Sequence, residues 1–549
     1  MQDTMAVGGG DRGPGVFLRR STGLVREVSL VDATLMNSIG MNVGIGAFFL
    51  FLQAPAAFPN GSMLVAVILG TVIMAFTLLW VYSEFSAAMP RSGGDYVFVS
   101  RALHPFLGWL LAWSQGIWLI FFWIGFNAWF ALTFAIPGSL QVIASVTGNS
   151  GLADLGTTIT QPVWVFVLGS LINIAFGALL IFGGQGYWRY QKVAFAFAAG
   201  SVVIAMILLV LDGSSIPQAW DAFVAKAGSG LKFADVIPAA QAAGYTPPSG
   251  GGFDLTSTIL MLPWVFFVVG YAQGSAQIGG EVKRASTNQY IAMVGGVLIN
   301  GAVLALLVIL VTNVVSQSWL GAVGTFAFNP DNPLGFPVNP VGFNFIVSLL
   351  TNNVIILAII GIGFVMWAVN GTPLSELQAT RYMLAWSIDR MIPPQLGDVS
   401  EKYHTPVKAI VFATITGEIA IAALIWIPQA SLLGALIAQL VAFIVVSIAG
   451  IAFPYRLPAL WQSAGGRRLF GVPTVTLAGI GGVVCLGYLM YLFVTNTVLN
   501  ATFAVTRDIS LWVMGSVIGL GVIWYIGAYL YNRSRGVDVT LAYAEIPPE

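Results

Sequence analysis

The chain has 549 residues, of which 57% are hydrophobic and only 8% are charged, and its formal net charge is zero. So little charge cannot cover the surface of a soluble protein of this length, and most of the chain is therefore expected to lie in lipid. The zero net charge excludes the basic field of a nucleic-acid-binding protein, and two histidines and one cysteine exclude a metal site built mainly from those residues.

Apolar runs that are long enough to cross a bilayer recur along the chain. A helix needs about 20 mainly apolar residues to cross the hydrocarbon core. About twelve runs reach that length, at residues 30–53, 62–88, 105–136, 162–183, 191–212, 257–279, 289–315, 343–371, 406–426, 431–453, 472–495 and 508–531. The sequence therefore predicts an all-α membrane protein with about 12 transmembrane helices.

Lysine and arginine are distributed unevenly between these runs. If the N-terminus is cytosolic, all but three of the 22 Lys and Arg residues lie in cytosolic segments, and only Lys226, Lys232 and Arg507 lie outside. An even number of helices then places both termini in the cytosol, with residues 1–29 and 532–549 as tails. Because the first residues do not form a secretory signal, we expect the plasma membrane as the location.

Two segments differ from the other connections. Residues 213–256 are rich in Gly and Pro and predict an ordered or partly ordered external cap. The segment SELQATRYMLAWSIDRMIPPQL, after the eighth run, mixes apolar and charged residues at helical spacing. It predicts a helix that continues into the cytosol or lies on the membrane face.

The first run contains residues that disfavour a continuous helix. Its stretch SIGMNVGIGAFFLF, residues 38–51, holds three glycines and one asparagine. A glycine pair spaced four apart suits close helix packing, but Gly44, Ile45 and Gly46 beside Asn42 also predict an unwound segment. Irregular backbone at this depth is tolerated only where it lines a protein-enclosed cavity. The N–H groups freed there, at the positive end of the next half-helix, would bind a carboxylate.

A second interrupted helix follows five helices later. The sixth run reads LPWVFFVVGYAQGSAQIGG, in which Gly270, Gln273, Gly274 and Gln277 interrupt the apolar sequence at mid-depth. Secondary transporters built from inverted repeats carry interrupted helices at corresponding positions in their two halves. The pair favours a transport site between helices one and six over glycine packing alone.

Four segments resemble the amino acid–polyamine–organocation superfamily of secondary transporters. In chain order they read LVREVSLVDATLMNSIGMNVGIGAFF, YSEFSAAMPRSGGDYVFVSRALHPFLGWLLAW, GGEVKRASTNQYIA and ATRYMLAWSIDRMIPPQLGDVSEKYHTPVKAI. The resemblance runs from about residue 24 to about residue 455. It implies a 5+5 inverted-repeat core over residues 30–455, with discontinuous helices 1 and 6, followed by two additional helices over residues 456–531.

The resemblance also implies that an amino acid binds through backbone groups of the two broken helices. Its carboxylate would meet N–H groups of the first helix, and its ammonium would meet carbonyl groups of the sixth. These groups belong to Gly44, Ile45 and Gly46, beside Asn42, and to Gly270, Tyr271 and Ala272. An aromatic side chain, Phe266 or Phe267, would close over the substrate from outside. Because the chain has one residue more before Glu281 than the family spacing, Gln273 is an alternative to Ala272.

Several polar residues are candidates for ion coupling. Many proton-coupled members of the superfamily carry a lysine in the fifth helix, and that position is Ser201 here, so the lysine route does not carry over. Glu418 lies in the middle of the ninth run, where an ionisable group needs either a function, such as carrying a proton, or structural hydrogen bonds. Asn370, Thr372 and Ser375 offer oxygens to a sodium ion, or they cap the end of the eighth run.

Two further carboxylates lie near the predicted cytosolic ends of their helices. Glu84 and Glu281 are candidate inner-gate or scaffold residues. Arg91 or Arg101 is the expected partner of Glu84, since a buried carboxylate is usually paired.

Taken together, the residues predict a secondary active amino acid transporter, not an enzyme, that works by alternating access. A neutral, zwitterionic amino acid is the expected substrate, with the lipid bilayer as the other partner, because helices one, three and six place no acid at mid-depth. An H⁺ or Na⁺ gradient or exchange would drive it, without a cofactor, and the missing Gly-Lys-Ser/Thr loop excludes an ATP motor. The alternative is a polyamine, nucleobase or other organic cation carrier on the same scaffold. The lack of a soluble output domain disfavours a non-transporting sensor.

Overall fold

The structure is a computed structural model. It describes residues 24, 26–182, 184–228, 230–248, 254–327, 334–335, 341–427, 436–503, 508–543 and 546. The predicted N-terminal tail up to residue 23, the beginning of the tenth run at 431–435, Arg507, residues 249–253 of the predicted cap and most of 544–549 lie outside these residues.

Long apolar helices form most of the described chain. We number the spans α1 to α12 in chain order. In the described chain, eleven are long and apolar enough to cross a membrane: α1 Leu30–Ala57, α2 Met63–Ala88, α3 Pro105–Thr147, α4 Pro162–Phe182, α5 Gln185–Ala227, α7 Ala285–Val314, α8 Val354–Ile388, α9 Val407–Trp426, α10 Ala438–Arg456, α11 Thr474–Thr495 and α12 Leu511–Ser534. The twelfth, α6, comprises Leu255–Leu260, Leu262–Val269 and Gly274–Gln277. The prediction of an all-α membrane protein of about 12 spans is confirmed.

Shorter elements connect the spans. They are the helices Asp95–Ala102, Ser150–Ile159, Val236–Ala242, Gln317–Phe326, Phe343–Ser348, Pro458–Ser463 and Thr497–Phe503, the 3₁₀ turn Val539–Tyr543, and a hairpin of strands Arg468–Leu469 and Val472–Pro473. Within the predicted external cap, the described residues form helices that pack on one another. The Trp220 indole donates to the carbonyl of Leu231 at 2.9 Å, and Phe233 stacks on Trp319 with ring centroids 4.5 Å apart.

α3 is longer than the predicted run 105–136. Two π-helical segments, Leu119–Trp123 and Ala131–Ala135, widen it. A π segment shifts the side chains that follow it around the helix axis and often occurs at functional sites. The first of these segments borders the cavity described below.

α8 differs from its prediction at both ends. The predicted run 343–371 begins with a separate helix, Phe343–Ser348, and α8 starts only at Val354, where the side chain of Asn353 caps the N–H of Ile355 at 2.9 Å. α8 then continues to Ile388 with nearly every side chain buried. The segment is a helix that continues α8, and the surface-lying alternative is wrong, because nearly all side chains of Gly371–Ile388 are buried in protein. Its cytosolic location stays a prediction.

Candidate functional site

α1 is broken at a single residue, Asn42. Its φ of 49° and ψ of 63° are left-handed and separate the half-helices Leu30–Met41 and Val43–Ala57. Asparagine adopts this conformation more readily than most residues. The Asn42 carboxamide accepts from the N–H of Ile45 at 3.1 Å and donates to the carbonyl of Trp367 on α8 at 2.8 Å. One side chain therefore caps the outer half-helix and attaches it to α8.

The expected N–H groups of Gly44, Ile45 and Gly46 are not all open to a ligand. Besides the capped N–H of Ile45, the N–H of Gly46 donates to the carbonyl of Asn42 at 2.8 Å. The two glycines allow close packing instead, since a Cβ on either would lie 2.4 Å from a neighbouring side chain. The prediction that all three N–H groups are free for a carboxylate is therefore corrected. A break of one residue unwinds less backbone than the glycine-rich sequence indicates.

α6 is broken over four residues, from Gly270 to Gln273. This break touches α1, because a Cβ on Gly40 would lie 2.6 Å from the carbonyl oxygen of Tyr271. The half-helix before the α1 break and the half-helix after the α6 break are also joined. The N–H of Ser275 donates to the Asn37 carboxamide at 2.8 Å, and that carboxamide donates to the Ser275 hydroxyl at 3.0 Å. The two interrupted helices predicted from the sequence therefore meet at their breaks.

A cavity of about 80 Å³ lies where the breaks meet. That is room for several water molecules. Of the residues predicted for the site, those in its wall are Asn42, Ile45, Gly46, Phe267, Tyr271, Gln273 and Ser375. The other predicted binding residues, Gly44, Phe266, Gly270 and Ala272, are not in this wall.

The structure separates two pairs of alternatives on α6. Phe267 lines the cavity, with its ring centroid 6.3 Å from that of Trp123, whereas Phe266 packs on Phe443 of α10 at 6.1 Å. Gln273 likewise lines the cavity, whereas Ala272 is fully buried in the protein.

Glutamine side chains dominate the polar part of the wall. They are Gln115, Gln273, Gln277, Gln378 and Gln439. Within the described chain, the nitrogen of the Gln115 amide and the oxygens of the Gln273 and Gln439 amides have no hydrogen-bond partner. A buried polar atom without a partner costs about 1–3 kcal/mol. These atoms are therefore available to a polar solute in the cavity.

Asp95 is the one charged side chain among the described residues of the cavity wall, and it was not among the residues predicted for the site. Asp95 begins the connecting helix between α2 and α3 and is 1% exposed. Its carboxylate accepts from the hydroxyls of Tyr382 at 2.6 Å and Tyr82 at 2.8 Å. Burial raises the pKa of the Asp95 carboxyl to about 6, against the lowering effect of these two donors.

A local signal for Asp95 exists in the sequence SGGDY. Gly93 and Gly94 have φ of 98° and 46°, and so make a turn that residues with a side chain rarely adopt. That turn directs the following carboxylate back into the protein. The sequence analysis considered acids on helices one, three and six only, whereas this acid comes from the connection between α2 and α3.

The predicted coupling residues do not converge on one site. Ser201 borders a smaller cavity with Gly44, on the other side of α1, and its hydroxyl donates to the carbonyl of Ala198 at 2.7 Å. Glu418 accepts from the Asn173 carboxamide at 2.8 Å, between α4 and α9. Both lie outside the main cavity.

The three candidate sodium ligands face different neighbours. Asn370 accepts from the Tyr190 hydroxyl at 2.7 Å, and the Thr372 hydroxyl donates to the carbonyl of Ile124 at 3.2 Å. Only Ser375 lines the cavity. Asn370 and Thr372 are not in the cavity wall.

The two candidate gate residues are buried and paired. Glu281 accepts two hydrogen bonds from the Arg381 guanidinium, at 2.7 and 2.9 Å. Glu84 accepts from the Thr474 hydroxyl at 3.2 Å and lies 3.7 Å from Arg467. Arg101, one of the partners expected for Glu84, instead forms an ion pair with Asp389 at 2.8 Å. The sequence missed these partners because they come from distant parts of the chain.

Comparison with known proteins connects this geometry to a family. A family profile described as amino acid permease matches residues 28–523. The branched-chain amino acid permease BcaP of Bacillus subtilis is 22% identical over 522 residues, which cover 93% of this chain and 94% of that protein. An uncharacterized transporter of Mycobacterium tuberculosis is 28% identical over 164 residues, which cover 28% of this chain and 36% of its own length.

Proposed function

The chain belongs to the amino acid permease family, and from this premise we propose that it carries a neutral, zwitterionic amino acid across the membrane by alternating access. As a multi-pass membrane protein of this family it is an amino acid transporter and not an enzyme. The observation that carries the proposal is the cavity at the meeting point of the two broken helices. Its wall offers neutral amides and aromatic rings.

The composition of the wall supports an amino acid with an uncharged, apolar side chain. Trp123, Phe267 and Ile45 supply apolar surface, and the unpartnered amide atoms supply donors and acceptors for the polar end of the substrate. The name of the B. subtilis relative points in the same direction, to a branched-chain side chain.

Asp95 raises the question of a cationic substrate. A polyamine presents at least two ammonium groups, and a wall suited to it needs more than one carboxylate. Among the described cavity residues Asp95 stands alone, and both of its oxygens already accept from tyrosine hydroxyls. A zwitterion therefore fits the wall better than a polyamine.

We propose further that both termini are cytosolic and that the protein lies in the plasma membrane, driven by an ion gradient or by exchange. The distribution of Lys and Arg supports this orientation. On this basis, the Glu281–Arg381 pair closes the cytosolic side of the cavity.

Thermal stabilisation of the purified protein tests the substrate. Leucine, isoleucine and valine are compared with lysine, glutamate and putrescine, each with and without sodium. A ligand at about 100 times its Kd stabilises the folded state by about 2.7 kcal/mol. We expect a higher Tm with the branched-chain amino acids only; a shift with putrescine alone would overturn the substrate class and keep the family.

Two neighbouring phenylalanines give a matched pair for the same experiment. Phe267→Ala removes a ring from the cavity wall, whereas Phe266→Ala removes the same ring from the contact with α10. Both are expected to lower Tm without ligand, but only Phe267→Ala should abolish the increase caused by leucine. An unchanged leucine shift in Phe267→Ala contradicts binding in this cavity.

A further inference from the structure

Asp95 sits among neutral groups on every side. α2 contributes Tyr82, α8 contributes Tyr382 and α6 contributes the amide of Gln277. α3 adds the amides of Gln115 and Asn127 and two tryptophan rings to the same wall, and α10 adds the amide of Gln439. None of these groups carries a charge. On its own helix, Asp95 is followed by Tyr96, and Arg101 further along is held by Asp389 at 2.8 Å. No Lys, Arg or His is present among the described cavity residues to keep Asp95 ionised.

The surroundings of Asp95 provide for both of its protonation states. In the ionised state each oxygen accepts one tyrosine hydroxyl. A proton on the oxygen nearest Tyr382 would donate to the Tyr382 oxygen. The hydroxyl proton of Tyr382, which stays bonded to Tyr382, then needs another acceptor.

Gln277 supplies that acceptor. Its amide lies 3.3 Å from the Tyr382 hydroxyl. In the orientation that suits its other neighbours, the amide nitrogen donates to the carbonyls of Gly274 at 2.8 Å and Gln273 at 3.0 Å. The amide oxygen then faces Tyr382. A chain of hydrogen bonds thus runs from Asp95 to the backbone of the α6 break.

We propose that Asp95 carries the proton that couples this transporter to a proton gradient, and that Tyr382 and Gln277 transmit its protonation state to the break in α6. The inference rests on the proposed amino acid transport and adds the coupling ion and its residue. One proton binds Asp95 when the cavity faces the outside, travels with one substrate molecule, and leaves to the cytosol. Tyr382 and Gln277 are positioning residues, since each exchanges hydrogen-bond partners and neither gains or loses a proton.

Uptake of radiolabelled leucine into proteoliposomes tests this role. The measured quantity is the ratio of uptake with an inward proton gradient to uptake without one. A gradient of one pH unit supports an accumulation of at most about tenfold for one proton per substrate. The wild type should approach that ratio, Asp95→Asn should give a ratio of about one, and Asp95→Glu should recover part of the stimulation.

Glu418→Gln is the matched comparison. It removes a membrane carboxyl that lies outside the cavity, between α4 and α9. This variant should keep the wild-type ratio. A normal ratio in Asp95→Asn, or its loss in Glu418→Gln with Asp95→Asn unaffected, overturns the proposal.

Tyr382→Phe tests the relay separately. It removes a donor to the ionised carboxylate, so the pKa of Asp95 should rise and the pH at half-maximal uptake should move upward. A purely structural role of the hydroxyl would lower the uptake rate without moving the pH profile. An unmoved profile removes Tyr382 from the proposal.

Proton movement by the wild type tests the coupling ion even if Asp95→Asn fails to fold. A pH-sensitive dye in the external buffer should report alkalinisation when leucine is added. Leucine uptake without alkalinisation, or uptake stimulated by a sodium gradient alone, overturns the proposal. Exchange of internal for external leucine separates the coupling proposal from the transport proposal. If exchange occurs without any response to pH, the proposed proton coupling is wrong and the substrate stands; if exchange is absent, the proposed substrate is wrong.

Discussion

Asn42 and Gly40 have different structural roles at the break of α1. Asn42 supplies the left-handed conformation and caps the outer half-helix with its own side chain. Gly40 supplies room, since the carbonyl of Tyr271 occupies the space that a side chain would fill. The break therefore depends on one residue for its geometry and on another for its contact with α6.

Gly40→Ala should disturb this contact. A Cβ 2.6 Å from a backbone oxygen requires the two broken helices to move apart. Overpacking of this kind costs about 1–3 kcal/mol, and uptake should fall because the cavity wall is displaced. Gly487→Ala on α11, where nothing lies within 4 Å, is the control and should be neutral or slightly stabilising. Thermal unfolding of both variants checks the prediction; equal Tm values contradict it.

Asp95 makes stability depend on pH in a direction opposite to that of a salt-bridged carboxylate. Its folded pKa of about 6 lies above the ordinary value of 3.8. As pH rises between these values, the unfolded chain loses the proton before the folded chain does, so this group lowers stability with increasing pH. The Tm of the wild type relative to Asp95→Asn should therefore fall from about pH 4 to about pH 7. A constant difference would show that the carboxyl titrates normally.

The segment after α6 is held by contacts with two other parts of the chain. Glu281 holds Arg381 of α8 through two hydrogen bonds, and its backbone carbonyl accepts from the N–H of Val28 at 3.0 Å. The segments that precede α1 and follow α6 are thereby tied to α8. This arrangement lies on the side that the charge distribution predicts to be cytosolic.

Glu281→Gln keeps the size of the side chain and removes its charge. Arg381 is then buried without a carboxylate, and breaking a buried pair on one side costs about 3–5 kcal/mol. Asp398→Asn removes the carboxylate of the exposed pair with Lys408 and should change Tm little, because solvent screens such pairs. Thermal unfolding compares the two; a similar small effect would mean that the buried pair contributes no more than a surface one.

The elements were predictable from sequence to different degrees. Apolar runs identify the spans, because the thickness of the bilayer sets the length of a membrane helix. Helix-breaking residues identify the two broken helices, because irregular backbone within the membrane is confined to protein-enclosed cavities. The start of α8 was missed, since Asn353 reads as an ordinary polar residue until its capping bonds are seen. Asp95 and its partner Tyr382 were missed because a contact across 287 residues of sequence leaves no periodic pattern.

At the scale of the whole molecule, the C-terminal segment packs against the middle of the chain. The Tyr543 ring centroid lies 5.0 Å from the Arg101 guanidinium, and Arg101 donates to the carbonyl of Ala542 at 3.2 Å. Arg101 also pairs with Asp389 at the end of α8. The predicted tail is therefore, in its described part, a structural element that joins the α2–α3 connection to α8.

Tyr543→Leu removes the aromatic ring over Arg101. A desolvated cation–π contact contributes about 2 kcal/mol, so Tm should fall measurably. Tyr491→Leu removes a tyrosine that is 59% exposed and should have little effect. Thermal unfolding separates the two outcomes, and equal small shifts would leave the C-terminal segment without a role in stability.

A single ionisable group in an otherwise neutral cavity has an electrical consequence. A zwitterion carries no net charge, so a proton on Asp95 is the one charge that such a cycle moves through the bilayer. Each elementary charge is driven by about 2.3 kcal/mol per 100 mV of membrane potential, compared with about 1.4 kcal/mol per pH unit. A cell with a negative interior would then accumulate an uncharged nutrient by voltage alone, even when both sides of its membrane share the same pH.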